Sequence, residues 1–322
     1  MINKKTSKIK ILFFGLGSIG TKHASIIKDN FDFKLYAYRT KKGQEKNELN
    51  IVEFENIKDA FSIKPEIAFI TNPTFLHTET ALECAKRNIA LFIEKPISHS
   101  LESVDILDEE ISKRNIFTYV GFNLRFHPVV VFLKGFIDKK KNPIYFRAVC
   151  SSYLPNWRPA QDYSRSYSAK KDMGGGVILE LVHEFDYISW LFDGIKKING
   201  FYDTTSSLKL DCEDLFEGQI ICNKTKGSLH LDFFSRNVER KIQVYYDDLY
   251  LEADLINYEI RKIDDKNKFE TISFKKNSDD MYKKQLEYFF GEYHKNNRGC
   301  MNNYSDALKT FKKIMESKEG KN

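Results

Sequence analysis

The sequence has no hydrophobic run near the roughly 18 to 20 residues that a membrane-spanning helix needs. Its first apolar cluster, ILFF from Ile11, is too short for the core of a secretory signal, so a soluble cytoplasmic protein is expected. Cysteine is sparse and unpatterned: five residues (Cys84, Cys150, Cys212, Cys222 and Cys300) are odd in number and contain no C-x-x-C pair. That argues against a disulfide framework and a zinc site and for reduced thiols. Histidines with metal-ligand spacing are also missing, so no metal is expected. Charge of one sign is scarce, since 51 basic and 45 acidic residues leave a net charge of only +6. The run Lys139 to Lys141 reads as a solvated loop face; nucleic-acid binding is not expected, and the mild positive excess suits an anionic ligand. There is no internal repeat and no low-complexity tail.

What the sequence does have, near its start, is KIKILFFGLGSIGTKHASII, in which Gly15, Gly17 and Gly20 are spaced G-x-G-x-x-G. Three glycines so close can arise in any tight loop. Here a β-rich run (Ile9, Ile11, Leu12, Phe13, Phe14) enters them and an amphipathic stretch (Ile19, Ala24, Ile26, Ile27) leaves them. This is the strand-turn-helix setting of a dinucleotide site. In it Gly15 makes the turn, Gly17 lets the backbone approach a pyrophosphate, and Gly20 lets helix and strand pack closely. The pyrophosphate would sit on the helix N-terminus, beside Ser18 and Ile19.

From Lys8 to about Gly121 short apolar runs alternate with helical patterns. Strands are predicted at Lys10 to Phe14, Lys34 to Tyr38, Glu66 to Thr71, Ala90 to Glu94 and Phe117 to Val120, with helices such as Thr78 to Arg87 and Leu101 to Lys113 between them. The rhythm predicts an α/β Rossmann domain over residues 1–121, a doubly wound parallel sheet with its ligand crevice at the C-terminal strand ends. Beyond residue 122 the rhythm changes. A helix (Pro128 to Ile137), a strand (Ile144 to Ser151), a polar aromatic loop (Ser152 to Met173) and a helix from about Gly175 to Phe192 precede successive alternating runs. These lie at Leu215 to Cys222, Ser228 to Phe234, Arg240 to Tyr246, Tyr250 to Ala253 and Ile256 to Ile263. Strands without intervening helices predict an open, mostly antiparallel sheet in an α+β domain over 122–322. Helices from Asp279 to Lys295 and from Ser305 to Ser317 close the chain, and they could pack back on the first domain.

Candidate site residues cluster at the predicted strand ends. LYAYRT puts Arg39 and Thr40 about twenty residues past the glycines, where an acid would bind the ribose 2′-hydroxyl of NAD and an arginine suits the 2′-phosphate of NADP. NADP(H) is therefore expected over NAD(H). A surface arginine ending a strand is the plain alternative. ITNPTFLH places Thr71, Asn72 and Pro73 at the ligand edge and His77 one turn on, where a helix-start hydrogen-bonder is a simpler reading than a catalyst. Glu94, Lys95 and Pro96 end an apolar strand with two charges that must face the crevice or be paired. Lys95 can donate to a substrate oxygen; a purely structural Glu–Lys pair is the competing reading.

Taken together and in order, GLGSIG, TNPTFLH, EKP, GFNLRFHP and GGGVILELVHEFDYISWLF resemble the Gfo/Idh/MocA oxidoreductases, the family of glucose-fructose oxidoreductase and inositol dehydrogenase, over Lys8 to about Asp193. The resemblance implies substrate held between a Rossmann domain and a C-terminal domain, over the nicotinamide. It implies oxidation or reduction of a sugar, cyclitol or sugar-nucleotide carbon. Carried over by position, Lys95 would touch the reacting hydroxyl and His183 would be the general acid/base, a role suited to its near-neutral pKa. Asp186 and Trp190 fit the same helix. The family's open sheet implies a homodimer or homotetramer. The sequence departs from the pattern where an aspartate usually stands four residues before the histidine: Leu179 is there and Glu180 stands three before. On a continuous helix Glu180 would share a face with His183.

Substrate selection is expected from SSYLPNWRPAQDYSRSYSAKKD, whose Trp157, Arg158, Asp162, Tyr163, Arg165 and Tyr167 suit a sugar bearing an anionic group; Asn123 and Arg125 of GFNLRFHP could join them. A loop packed on a partner subunit would use the same residue types. YLPNWRPAQDY resembles a branch associated with bacterial surface-sugar synthesis. The alternatives to a dehydrogenase are a non-catalytic dinucleotide sensor and an epimerase or hydrolase that cycles a tightly bound NAD(P).

Overall fold

The computed structural model of the chain describes residues 8–40 and 47–318. Among these residues are two sheets, and the chain divides into two compact units. One unit takes in residues up to Ser98, Glu102–Gly121 and Tyr282–Ser305; the other holds His99–Leu101, Phe122–Met281 and the chain from Asp306 onward.

In the first unit β1 (Lys10–Phe14), β2 (Lys34–Tyr38), β3 (Val52–Phe54), β4 (Ile67–Ile70), β5 (Ala90–Ile93) and β6 (Thr118–Val120) lie in the order β3-β2-β1-β4-β5-β6. Every pairing is parallel. The crossover helices are α1 (Ser18–Asn30), α2 (Ile57–Ser62), α3 (His77–Ala85) and α4 (Val104–Arg114). The central strands LFF, IAFI and ALFI are apolar throughout because a parallel sheet covered on both faces leaves them no wet side. On one face Phe69 stacks on Phe13 and Phe92 with centroids 4.8 and 4.4 Å away, and Phe289 meets Phe92 edge-on at 5.2 Å. Phe289 comes from the late segment of this unit. That segment also closes the sheet edge: the Asn302 carbonyl accepts the Val120 N–H at 2.7 Å, and Tyr304 N–H donates to Thr118 Oγ1 at 3.1 Å.

The second unit contains α5 (Pro128–Lys140), β7 (Tyr145–Tyr153), α6 (Val177–Glu180) and α7 (Val182–Leu191), then β8 (Ile195–Asp203), β9 (Leu215–Cys222), β10 (Lys226–Asp232) and β11 (Phe234–Tyr245). It continues with β12 (Leu249–Asp254), β13 (Glu259–Asp264) and β14 (Phe269–Ser273). The order is β14-β13-β12-β11-β7-β10-β9-β8, antiparallel except where β7 and β10 run parallel. Helices α8 (Ser278–His294) and α9 (Tyr304–Lys318) end the described chain. No described helix is long and apolar enough to cross a membrane.

The structure corrects the sequence reading at three places. Strands β3, β8 and β14 were not anticipated, and all three are sheet edges. The strand expected from Ile256 starts at Glu259, because Asp254 Oδ1 accepts the N–H groups of Ile256 and Asn257 and turns the chain. The helix expected from Gly175 to Phe192 is two helices, broken at Leu181 (φ −97°, ψ 27°), so Glu180 and His183 are not on one continuous helix.

Candidate active site

The glycine turn fits a dinucleotide, glycine by glycine. Gly15 has φ +93°, and a Cβ there would stand 3.1 Å from Asn72 Cα and Thr71 O. A Cβ on Gly20 would stand 2.5 Å from the Gly15 carbonyl oxygen, so the first turn of α1 could not approach the loop with any larger residue. Gly17, the N-cap of α1, would carry its Cβ into open space, with nothing within 4 Å. The position that must face a ligand is thus the open one. Behind it α1 runs 13 residues with no acid in its first turn, which leaves exposed Ser18 and half-buried Ile19 on a helix end that favours anions.

The neighbouring strand ends are tied to this turn through the main chain. Thr71 donates its hydroxyl to the Gly15 carbonyl at 2.7 Å. Asn72 donates to Thr80 Oγ1 at 2.9 Å, while its own Oδ1 is buried with no hydrogen-bond partner among the described residues. A buried acceptor left open next to the glycine turn is what a bound donor would complete. Pro73 is exposed and opens a short turn that leads to α3. His77 is buried, its Nδ1 2.8 Å from the Pro96 carbonyl and its Nε2 2.9 Å from the Asn72 carbonyl. Burial outweighs these backbone contacts and lowers its pKa below the ordinary histidine value. The neutral ring has a single N–H, so His77 donates to one of these two carbonyls and packs between the loops after β4 and β5.

Glu94 is buried, and its partner is His23 rather than the Lys95 side chain. His23 Nε2 lies 2.6 Å from Glu94 Oε1, and Oε2 accepts the Lys95 N–H at 3.1 Å. Gly121 makes room, since a Cβ on it would stand 2.7 Å from Glu94 Oε1. The carboxylate thus fixes the backbone of half-buried Lys95, whose peptide bond to buried Pro96 is cis. The sequence reading missed His23. Its signal was a polar side chain on the buried stripe of α1, in step with Gly20, Ala24 and Ile27.

Arg39 at the end of β2 is paired. Its Nη1 lies 2.6 Å from Glu53 Oε1 on β3, with both side chains under a tenth exposed. Thr40 beside it is exposed. Glu53 was also missed, because its three-residue strand VEF is too short to show an alternating pattern.

In the second unit the charged side chains of α7 are taken by arginines. Arg125 forks onto Asp186, Nη2 to Oδ1 at 2.7 Å and Nε to Oδ2 at 3.0 Å, and both are buried. Burial raises the Asp186 pKa, against the pull of that guanidinium. Arg240 of β11 holds fully buried Glu184 in the same two-pronged way, with Nε to Oε1 at 2.6 Å. His183 stays half-buried at the start of α7, edge-on to Phe122 with centroids 6.0 Å apart. Glu180, at the end of α6, is buried. Asn123 is buried in a short turn, and its Oδ1 has no hydrogen-bond partner among the described residues.

The aromatic loop spends much of its chemistry on itself. Trp157 donates its indole N–H to Ser152 Oγ at 3.0 Å and meets Phe233 edge-on. Tyr163 accepts the Lys209 N–H at 3.0 Å, and Arg158 lies over the Tyr167 ring at 5.6 Å. Exposed Asp162 caps the turn that carries Arg165 by accepting the Ser164 N–H. All five cysteines are buried and free; burial pushes the thiols of Cys150, Cys212 and Cys222 up to about 12.

Known proteins match this architecture. Residues 9–122 match the model of the oxidoreductase family with an NAD-binding Rossmann fold, Gfo/Idh/MocA. The myo-inositol 2-dehydrogenase of Thermotoga maritima is 28% identical over 194 residues, 57% of this chain and 54% of that protein. The match thus spans about half the length of that curated relative. The solved UDP-N-acetylglucosamine 3-dehydrogenase of Acidithiobacillus ferrooxidans shares the fold at TM-score 0.77 and 16% identity, covering 98% of this chain and 97% of its own. A levoglucosan dehydrogenase in complex with NADH and levoglucosan does so at TM-score 0.81 and 15% identity, covering 98% of each chain. By its motifs and these matches, residues 9–122 belong to the NAD-binding Rossmann domain of the Gfo/Idh/MocA oxidoreductase family.

Proposed function

We propose that the chain transfers a hydride between a nicotinamide dinucleotide and a carbinol carbon of a sugar, cyclitol or sugar-nucleotide. The observation that carries this is the glycine turn, open at Gly17 and closed at Gly15 and Gly20, inside the stretch that matches the NAD-binding family. When bound, the nicotinamide accepts or gives the hydride. The proton is the chain's task. His183 takes it from the substrate hydroxyl or returns it, as a group whose ordinary pKa lies near neutrality. Lys95 steadies negative charge on the same oxygen, its main chain held by Glu94.

Residues 1–121 serve the dinucleotide and 122–322 the substrate in this reading, with Tyr282–Ser305 belonging to the first unit. Arg39 and Thr40 support NADP(H) as a cofactor, through the charge and hydroxyl that a 2′-phosphate would meet. Asn123, Glu180 and the loop that carries Trp157, Arg158 and Tyr163 supply substrate contacts, and Arg125 shapes the site through Asp186. The sugar-type substrates named for the similar dehydrogenases support a carbohydrate. A cytoplasmic homo-oligomer joined through the larger sheet completes the reading.

The test follows NAD(P)H absorbance with inositols, anhydrosugars and UDP-amino sugars as substrates. Turnover on one of them should fall by about 10²- to 10⁴-fold in His183→Ala, and also in Lys95→Ala, with dinucleotide affinity kept. Full turnover in both variants would refute the assigned roles.

A further inference from the structure

We propose that Glu53 is a specificity-determining residue for the dinucleotide: it sets a carboxylate against the 2′ position of the adenosine ribose and so holds back the preference for NADP(H) that Arg39 would otherwise give. The inference rests on the dinucleotide reading above. It deepens that reading with a residue outside the usual place for such an acid, the end of the second strand.

The geometry is built from short links within one unit. The Gly15 N–H donates to the Tyr38 carbonyl at 3.1 Å, which fixes the last residue of β2 against the glycine turn. The next residue, Arg39, donates its N–H to the Phe54 carbonyl at 3.0 Å, which fixes the end of β3 beside it in turn. Parallel pairing sets Glu53 opposite Ala37. The Arg39 guanidinium then reaches Glu53 Oε1 at 2.6 Å, and the Asn47 side-chain amide donates to the same oxygen. Asn47 is held in its turn, accepting the Ile51 N–H at 2.8 Å. Glu53 is thus a preset anion, with side-chain exposure of only 8%.

Two opposite charges therefore share the strand-end position that meets the ribose. A 2′-phosphate is drawn by Arg39 and repelled by Glu53, whereas a 2′-hydroxyl can donate to the carboxylate. Arg39 alone would select for the phosphate. With Glu53 opposing Arg39, NADPH and NADH are expected to bind this chain within about tenfold of one another.

Dissociation constants for NADPH and NADH, measured by nicotinamide fluorescence on the full chain without any sugar, test this directly. Glu53→Gln keeps the shape and an oxygen for Asn47 but removes the charge. It should raise the NADPH-over-NADH affinity ratio about tenfold, and the gain should shrink at high salt. Glu53→Ser removes both charge and reach, and it should move the ratio in the same direction if the glutamine variant folds poorly. Arg39→Gln should lower the ratio about tenfold. A ratio unchanged within threefold in both Glu53 variants would overturn the proposal while leaving the dinucleotide site intact. Binding of neither nucleotide by the unmodified chain would instead remove the dinucleotide reading itself, and this inference with it.

Discussion

The loops around the glycine turn of the first unit and helix α7 of the second are held in different ways. Around the glycine turn, side chains bond to main chain: Thr71 to the Gly15 carbonyl, His77 to that of Asn72 or Pro96, Glu94 to the Lys95 N–H. Around α7, side chains bond to side chains, Arg125 to Asp186 and Arg240 to Glu184. Main-chain anchoring fixes loops whose shape is the function, and it involves little net charge. Ion-pair anchoring fixes a helix and couples each anchored residue to one partner. Removing half of an anchor should therefore cost far more at α7 than at the loops around the glycine turn.

The largest expected effect is that of Arg125→Met, which leaves Asp186 buried without its cation and should cost about 3–5 kcal/mol in urea unfolding. Asp186→Leu added to it should recover much of the loss, since no lone charge then remains. A small cost for the single variant would erase the contrast. Next is acid sensitivity. Burial beside the Tyr258 ring pushes His127 down to about 4 from 6.5. The unfolded chain thus binds the proton first. The stability this residue gives is present above about pH 6.5 and is lost as pH falls toward 4, about 3 kcal/mol in all. His127→Asn, which keeps an acceptor for the Val129 N–H, should flatten that acid limb. His77 in the first unit is lowered too, so it adds loss of the same sign.

Smaller again, Thr71→Val should cost about 1–2 kcal/mol, the penalty for one main-chain anchor. Gly17→Ala should change stability by no more than about 0.5 kcal/mol, because its Cβ meets nothing, yet weaken dinucleotide binding severalfold. Gly20→Ala, which meets the Gly15 carbonyl, should lower both. The smallest effect is none at all: the five buried thiols should not react with Ellman's reagent at pH 8 until the chain is unfolded, when all five should.

What could be read from the sequence follows the same division. Strands buried on both faces, such as ILFF and ALFI, are continuous apolar runs and were legible. The three missed strands are edges whose residues face water, and nothing marks them: every residue of FETIS is at least partly exposed, and KKINGFYD contains a glycine and two lysines. The glycine turn and the ends of β4 and β5 could be placed because each follows a continuous apolar run. Glu53 and His23 could not, because their meaning lies in partners 14 and 71 residues away. The break at Leu181 was hidden because the sequence around it is apolar and helix-compatible; only the one-residue shortfall before His183 hinted at it.

The closure of the parallel sheet by Asn302 and Tyr304 bears on how the chain is made. A ribosome delivers β6 some 180 residues before the segment that satisfies the Val120 N–H and brings Phe289 onto the aromatic face. Throughout that interval the nascent sheet carries an open edge and an uncovered apolar side, the two features that invite association between chains. Fragments ending near residue 280 should therefore be less soluble than the full chain.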